Sequence, residues 1–296
     1  MNRLRRTLLG AAGLASMGLA RGQAGGESEL VVYPRHQALQ DAQMAYVLRL
    51  MMLALARSGR PYRFRQTATV MVQSRALIEL AKPNAPIDVF WTMTNPQREQ
   101  TLLPVRIPIE RGLIGWRQLL VRKGDLERWQ KVRKLSDLAN FTAGQMHDWP
   151  DTPILRANGL TVQTSTHYES LFTMLARGRI DYFPRSLIEI HAEREAHRHL
   201  ELEIEPRLLL HYPAALYYFV SPARPRLAVD LEQGLEAMQA DGTFERLFLQ
   251  QFGPLLTADR FAHHQVLRLH NPELPTATPL TRKELWWAPP GAGGHR

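Results

Sequence analysis

The run Pro104-Val105-Arg106-Ile107-Pro108-Ile109 constrains this chain more than any other stretch. Proline fixes its own φ, has no N–H to donate and pushes the residue before it out of the helical region. Prolines alternating with aliphatic residues therefore make an extended segment and exclude a helix. The run ends in Gly112-Leu113-Ile114-Gly115, a candidate hinge, and continues into an apolar strand from Leu119 to Arg122. Upstream, Ile87 to Trp91 is a short apolar run of buried-strand type. A polar turn, Thr92-Met93-Thr94-Asn95-Pro96, follows it, and then Arg98, the first cation after that strand. Strand, cationic turn, extended hinge and second strand are the parts of a two-lobed ligand clamp. The cation would sit at the cleft floor, and the backbone beside it would carry the closing motion.

The flanking sequence supplies the lobes. Glu29 to Tyr33 is an apolar run ending in Pro34-Arg35-His36, a strand leading into a polar loop. Ligands of doubly wound sheets sit beyond the carboxyl ends of strands, which makes Tyr33 and Arg35 candidates for a cleft edge; an exposed loop is the equal alternative. Asp41 to Arg57 carries Met44, Val47, Leu48, Met51, Met52 and Leu55 at helical spacing, closed by Ser58-Gly59. Tyr62 to Val70 reads as an antiparallel-edge or half-buried strand, and Ser74 as the cap of a helix from Arg75 to Ala81. Strand, helix, strand, helix, strand describes an α/β lobe. Beyond the hinge, Leu126 to Leu138 is read as mostly a basic helix. Asp151 or Thr152 would cap a helix from Pro153 to Asn158. Tyr168 to Arg177 is a helix closed by Gly178, before a buried strand that returns side chains to the cleft. Asp230 to Gly253 reads as two helices broken at Asp241-Gly242. Residues 254–296 predict a short helix near Ala258 to Val266 and then a poorly ordered tail, with a wrap onto the other lobe as the alternative.

Several of these pieces, in this order, resemble the family 3 periplasmic solute-binding proteins, the amino-acid-binding kind with a type II periplasmic-binding fold. They are Thr94 and Arg98; Pro104 to Ile109; Gly115 with Leu119-Leu120-Val121-Arg122-Lys123-Gly124; Leu135-Ser136-Asp137-Leu138; Leu171 through Gly178-Arg179-Ile180-Asp181; and Asp241-Gly242-Thr243-Phe244 with Phe252-Gly253. The resemblance covers roughly residues 28–253. It implies an α/β chain of two lobes joined by hinge strands: residues 28–115 and 208–270 in one lobe, 116–207 in the other, and 271–296 as a tail. It also implies that Arg98 holds a ligand carboxylate, helped by a hydroxyl of Thr92 or Thr94. Thr94 stands four residues before Arg98 where the family pattern has three. The second lobe's ligand-binding turn corresponds to the piece from Phe141 to Thr152, so Asp148, Trp149 and Thr152 are candidates. Where the family places an aspartate for the ligand ammonium, this chain has Pro184-Arg185-Ser186. Two guanidiniums, Arg98 and Arg185, would then face the cleft, which points to an anionic, carboxylate-bearing ligand. The alternative at Arg185 is a pair with Glu189, four residues on.

Residues 1–24 read as a signal peptide. Arg3, Arg5 and Arg6 precede an apolar run, and Gly22-Gln23-Ala24 offers a cleavage site. The run falls short of the roughly 20 residues that span a bilayer. With no cysteine there is neither a lipid-anchor site nor a disulfide framework, so the expected product is periplasmic. The formal charge is +9; residues 1–24 hold four arginines and no acid, so removing them leaves +5. The arginines are scattered and make no basic tract interleaved with aromatics, which excludes a nucleic-acid stripe. No nucleophile elbow, His-Glu-x-x-His, phosphate loop or dinucleotide fingerprint occurs. No catalytic residue, metal ligand set or cofactor is therefore assigned. His191, His197 and His199 lack clean metal-ligand spacing and read as a solvated helix face. The expectation is a monomeric solute receptor serving the membrane subunits of an ABC importer. The alternatives are a sensor or interaction module on the same fold and a member with a filled cleft.

Overall fold

The computed structural model describes residues 27–36 and 41–289; the expected signal peptide lies outside them. In the first lobe, β1 (Glu29–His36) is carried by α1 (Asp41–Ala56) to a parallel neighbour, β2 (Tyr62–Met71). Of the two readings of β2, the half-buried one holds and the antiparallel-edge one does not: the pairing is parallel because a whole helix separates the strands, long enough for a crossover. Then come α2 (Gln73–Leu80), β3 (Val89–Met93), α3 (Pro96–Thr101) and β4 (Leu103–Val105). Ser74 does not cap α2, whose N-cap position is Val72. Asp88 laces β1 to β3: Val32 N–H donates to its carboxylate at 2.7 Å, and Asp88 N–H donates to Val32 C=O at 2.7 Å.

The second lobe holds β5 (Trp116–Arg122), α4 (Leu126–Trp129), β6 (Thr142–Met146), α5 (Asp151–Ala157), β7 (Thr161–Ser165) and α6 (Tyr168–Ala176). It continues through β8 (Tyr182–Ser186), α7 (Ile190–Ala196), β9 (Leu202–Ile204) and β10 (Leu208–His211). The chain returns along Tyr212 to Ala215 into β11 (Leu216–Val220), then α8 (Pro225–Ala240) and α9 (Thr243–Phe252). Every residue of β3 and of β11 is buried. Such apolar runs without alternation are what a strand covered on both faces requires. The expected break between α8 and α9 is present, with Gly242 at φ 71°.

After α10 (Ala258–Phe261) the chain adds β12 (Gln265–Arg268), parallel to β10 at the edge of the second-lobe sheet. That sheet runs β12-β10-β5-β8-β6-β7, with β9 also on β5. The expected partition therefore shifts. β10 and β12, assigned by sequence to the first lobe, are hydrogen-bonded into the second, because the chain crosses only after His211. The basic helix expected from Leu126 to Leu138 also shrinks to α4 plus a 3-10 turn, Leu135–Asn140. Asp137 accepts from the backbone N–H groups of Arg133 and Lys134, which ties the chain into a turn there.

The two crossings lie side by side. Tyr212 N–H donates to Gly115 C=O at 3.2 Å, and Ile109 N–H donates to Leu216 C=O at 3.0 Å. A Cβ on Gly115 would stand 2.1 Å from Tyr212 C=O, so only glycine permits this approach. The expected hinge, Gly112 to Gly115, is a tight turn that feeds directly into β5.

Candidate functional site

The crossings bring the ends of β3, β6 and β8 to face one another, and a cavity of about 170 Å³ lies between the lobes there. Met71, Gln73, Trp91, Thr92 and Met93 wall it from the first lobe; Met146 to Asp151, Tyr168, Arg185 and Glu189 wall it from the second. Cavities of this size admit a benzene-sized solute, so a ligand on the order of ten non-hydrogen atoms fits.

Arg98 stands one layer behind the first-lobe wall. Asn95 caps α3 by accepting from Arg98 N–H at 2.8 Å. That sets the guanidinium to donate to Thr92 Oγ1 at 2.9 Å and to Met93 C=O. Thr92 in turn donates to Gln73 at 2.6 Å. Arg98 is 8% exposed and has no carboxylate within 4 Å among the described residues. Burial pulls its pKa down to about 10, against the attraction of Asp148 and Asp151 across the gap. It is a buried cation whose nearest countercharges stand on the other lobe.

Arg185 has the opposite circumstances. Its Nε and Nη2 grip both oxygens of Glu193, at 2.7 and 2.5 Å, and Glu189 lies 3.0 Å away. Trp149 and Phe183 stack on the guanidinium, with ring centroids 4.8 and 4.9 Å from its carbon. Although burial opposes its charge, Glu189 and Glu193 hold its pKa well above the ordinary value. Of the two readings of Arg185, the pair with Glu189 is present: the side chain lines the cavity but is not free, because Glu189, just before α7, and Glu193, within it, turn back onto β8. Arg117, which sequence reasoning did not single out, is likewise held by Asp151 at 2.6 Å, and Tyr212 O–H also donates to Asp151. Burial disfavours the Arg117 charge, but Asp151, Tyr212 and Glu189 together outweigh it and the pKa rises. Burial raises the Glu189 pKa, against Arg185 and Arg117.

The other candidates divide. Asp148 and Trp149 line the cavity. One carboxylate oxygen of Asp148 is buried without a hydrogen-bond partner, and the basic group within 4 Å of the carboxylate is the His147 imidazole, at 4.0 Å. Thr152 does not cap α5 or line the cavity; it donates to Met146 C=O at 2.9 Å and shapes the turn that presents Asp148. Thr94 is tied to Glu99 at 2.7 Å, away from the lining. Tyr33 packs on Trp91 with ring centroids 6.2 Å apart and does not reach the cavity. Arg35 is exposed, but it stays within β1, opposite Val70 of β2, where the sequence predicts a loop. Among the lining residues, Glu110, Asp148, Asp151 and Glu189 outnumber Arg117 and Arg185. Glu110 and Trp91 also line the cavity, and no local pattern singles them out. Among the described residues, no group of three or more His, Asp or Glu could hold a metal, and no helix is long and apolar enough to cross a membrane.

No family model and no curated protein matches the chain. Solved structures do. An ancestral arginine-binding protein bound to arginine aligns at 16% identity and TM-score 0.53, over 76% of this chain and 98% of that one. The ligand-binding core of GluR0 from Nostoc punctiforme, in complex with L-glutamate, aligns at 17% and 0.52, over 76% and 100%. The VFT2 domain of BvgS from Bordetella pertussis aligns at 17% and 0.56, over 75% and 93%. The chain has the two-lobed α/β fold of periplasmic binding proteins, a fold also found in a histidine kinase sensor domain that aligns at 16% and 0.55, over 76% and 97%.

Proposed function

We propose that this chain is a periplasmic solute receptor whose lobes clamp a small ligand bearing both a carboxylate and a cationic group. One observation carries the reading: among the described residues, Arg98, just behind the first-lobe wall, has no carboxylate within 4 Å, Asp148 on the second-lobe wall has no Arg or Lys within 4 Å, and the Asp148 charge favours that of Arg98 across the gap. A carboxylate near Thr92 would complete the buried guanidinium. An ammonium or guanidinium beside Asp148, over Trp149 and Trp91, would be held by charge and by the aromatic faces. The abundance of lining carboxylates supports a zwitterion over the purely anionic ligand expected from sequence. Residues 1–24 would export the protein, and the liganded form would be handed to the membrane subunits of an ABC importer.

The test is a thermal-shift panel of amino acids, amines and dicarboxylates on the protein and on Asp148→Asn. A ligand at 100 times its dissociation constant adds ~2.7 kcal/mol. Amino acids should raise the melting temperature, and Asp148→Asn should weaken that response more than tenfold in concentration. A response to dicarboxylates alone would restore the anionic site. Silence from every class would favour the interaction module. The fold's occurrence in a sensor domain supports a sensing role as the second reading, which would use the same cavity with a different partner.

A further inference from the structure

The segment expected as a poorly ordered tail runs across the back of both crossings. It leaves the second lobe at His270, which exchanges hydrogen bonds with Asn158: His270 N–H donates at 2.9 Å and its C=O accepts at 2.7 Å. Asn271 Nδ2 donates to Pro213 C=O of the return crossing at 2.7 Å. Arg282 then grips both oxygens of Glu236 on α8 of the first lobe, at 2.5 and 3.0 Å. The segment ends on the outbound crossing, where Trp287 N–H donates to Arg111 C=O at 2.8 Å. Arg111 and Gly112 both have positive φ, 49° and 77°. The Trp286 ring lies where a Cβ on Gly112 would be, 2.5 Å from its Cε3. The Trp287 ring meets Trp116, the first residue of β5, with centroids 5.8 Å apart.

We propose that residues 269–287 are a strap that sets the angle between the lobes by holding the two crossings in one backbone conformation. Opening a two-lobed clamp requires φ and ψ changes at a few crossing residues. Here the carbonyls of Arg111 and Pro213, and the open face of Gly112, are each engaged by the strap. Its two ends are anchored on different lobes, through Asn158 and through Glu236. Rotation about the crossings therefore has to strain or release these contacts, and the strap acts as a brake on opening. The proposal rests on the two-lobed clamp and not on any solute.

The absence of native cysteine makes the test direct. Ile78→Cys on the first lobe and Arg198→Cys on the second place spin labels at exposed positions, 63% for Ile78 and 81% for the Arg198 side chain. The interlobe distance distribution is measured without ligand in this background, and again with Arg282→Gln and Trp287→Ala added. The strap reading expects the distribution to shift and broaden when those contacts are lost. An unchanged distribution in a variant with a native circular dichroism spectrum overturns it. If the Trp287→Ala protein fails to fold, Arg282→Gln alone decides on the same two outcomes, since that ion pair is partly exposed. A silent solute panel would leave this measurement intact, so the two readings fail separately.

Discussion

Replacing Arg98 with methionine should leave the empty protein as stable as before while removing the ligand's carboxylate partner. A guanidinium held near pKa 10 instead of 12.5 carries about 3 kcal/mol of unfavourable free energy in its charged form at neutral pH. Methionine keeps an apolar stem and removes that charge. It also removes the hydrogen bonds to Thr92 Oγ1 and Met93 C=O, which together contribute about 3 kcal/mol at the value for charged donors. The two effects offset, and the net change should lie within about 1 kcal/mol of zero. At roughly 2–4 °C per kcal/mol for a chain of this size, the melting temperature should move by no more than a few degrees. Urea titration of the ligand-free protein reads the balance, and calorimetry with an amino acid that stabilises the parent reads the binding. Loss of 3 kcal/mol or more in the empty protein would make Arg98 structural. Unchanged affinity would remove it from the site.

Arg185→Met is the opposite case. It strands Glu193 and Glu189 in a buried site, which should cost about 3–5 kcal/mol and lower the melting temperature by on the order of 10 °C; a neutral result would refute the pairing. Gly115→Ala puts a Cβ 2.1 Å from Tyr212 C=O. Pushing the crossings apart should cost about 1–3 kcal/mol or more, and a melt indistinguishable from the parent would show that they do not pack this way. His191 and His264 line a second groove beside Arg194, Arg260 and Glu203. Burial, with Arg260 and Arg194 at His191 and with His263 at His264, lowers both pKa values from 6.5. The unfolded chain binds protons more readily, so stability should be full above about pH 6.5 and fall as pH drops below it. His191→Gln with His264→Gln should flatten that slope between pH 7.5 and 5.5; an unaltered slope would place its origin elsewhere.

Much of the fold was legible from local rules. Proline restricts the backbone through its own fixed φ, Gly112 and Gly242 permit the positive φ found there, and the chain follows both. Periodicity located α1 and α6 to within a residue of their ends. It overran at Leu126 to Leu138, where Asp137 draws two backbone N–H groups into a turn. The partition of β10 and β12 was beyond reach, since a four-residue apolar strand carries no mark of the sheet it will join. Glu110 and Trp91 were missed because only their position beside the crossings distinguishes them from other residues of their kind.

Sequence by itself determined where the chain must extend, turn and cross, because those limits act through bonds and steric contacts within a few residues. Only the tertiary structure decided what each arginine is for. Arg98 and Arg185 are chemically identical, and the sequence leaves open whether Arg185 is free in the cleft or pairs with Glu189. One is surrounded by Glu189 and Glu193, and the other is buried with its nearest countercharges across the gap. Charge pairing acts through space, between residues that the chain brings together only after both lobes have formed, so neither fate is written beside the residue itself.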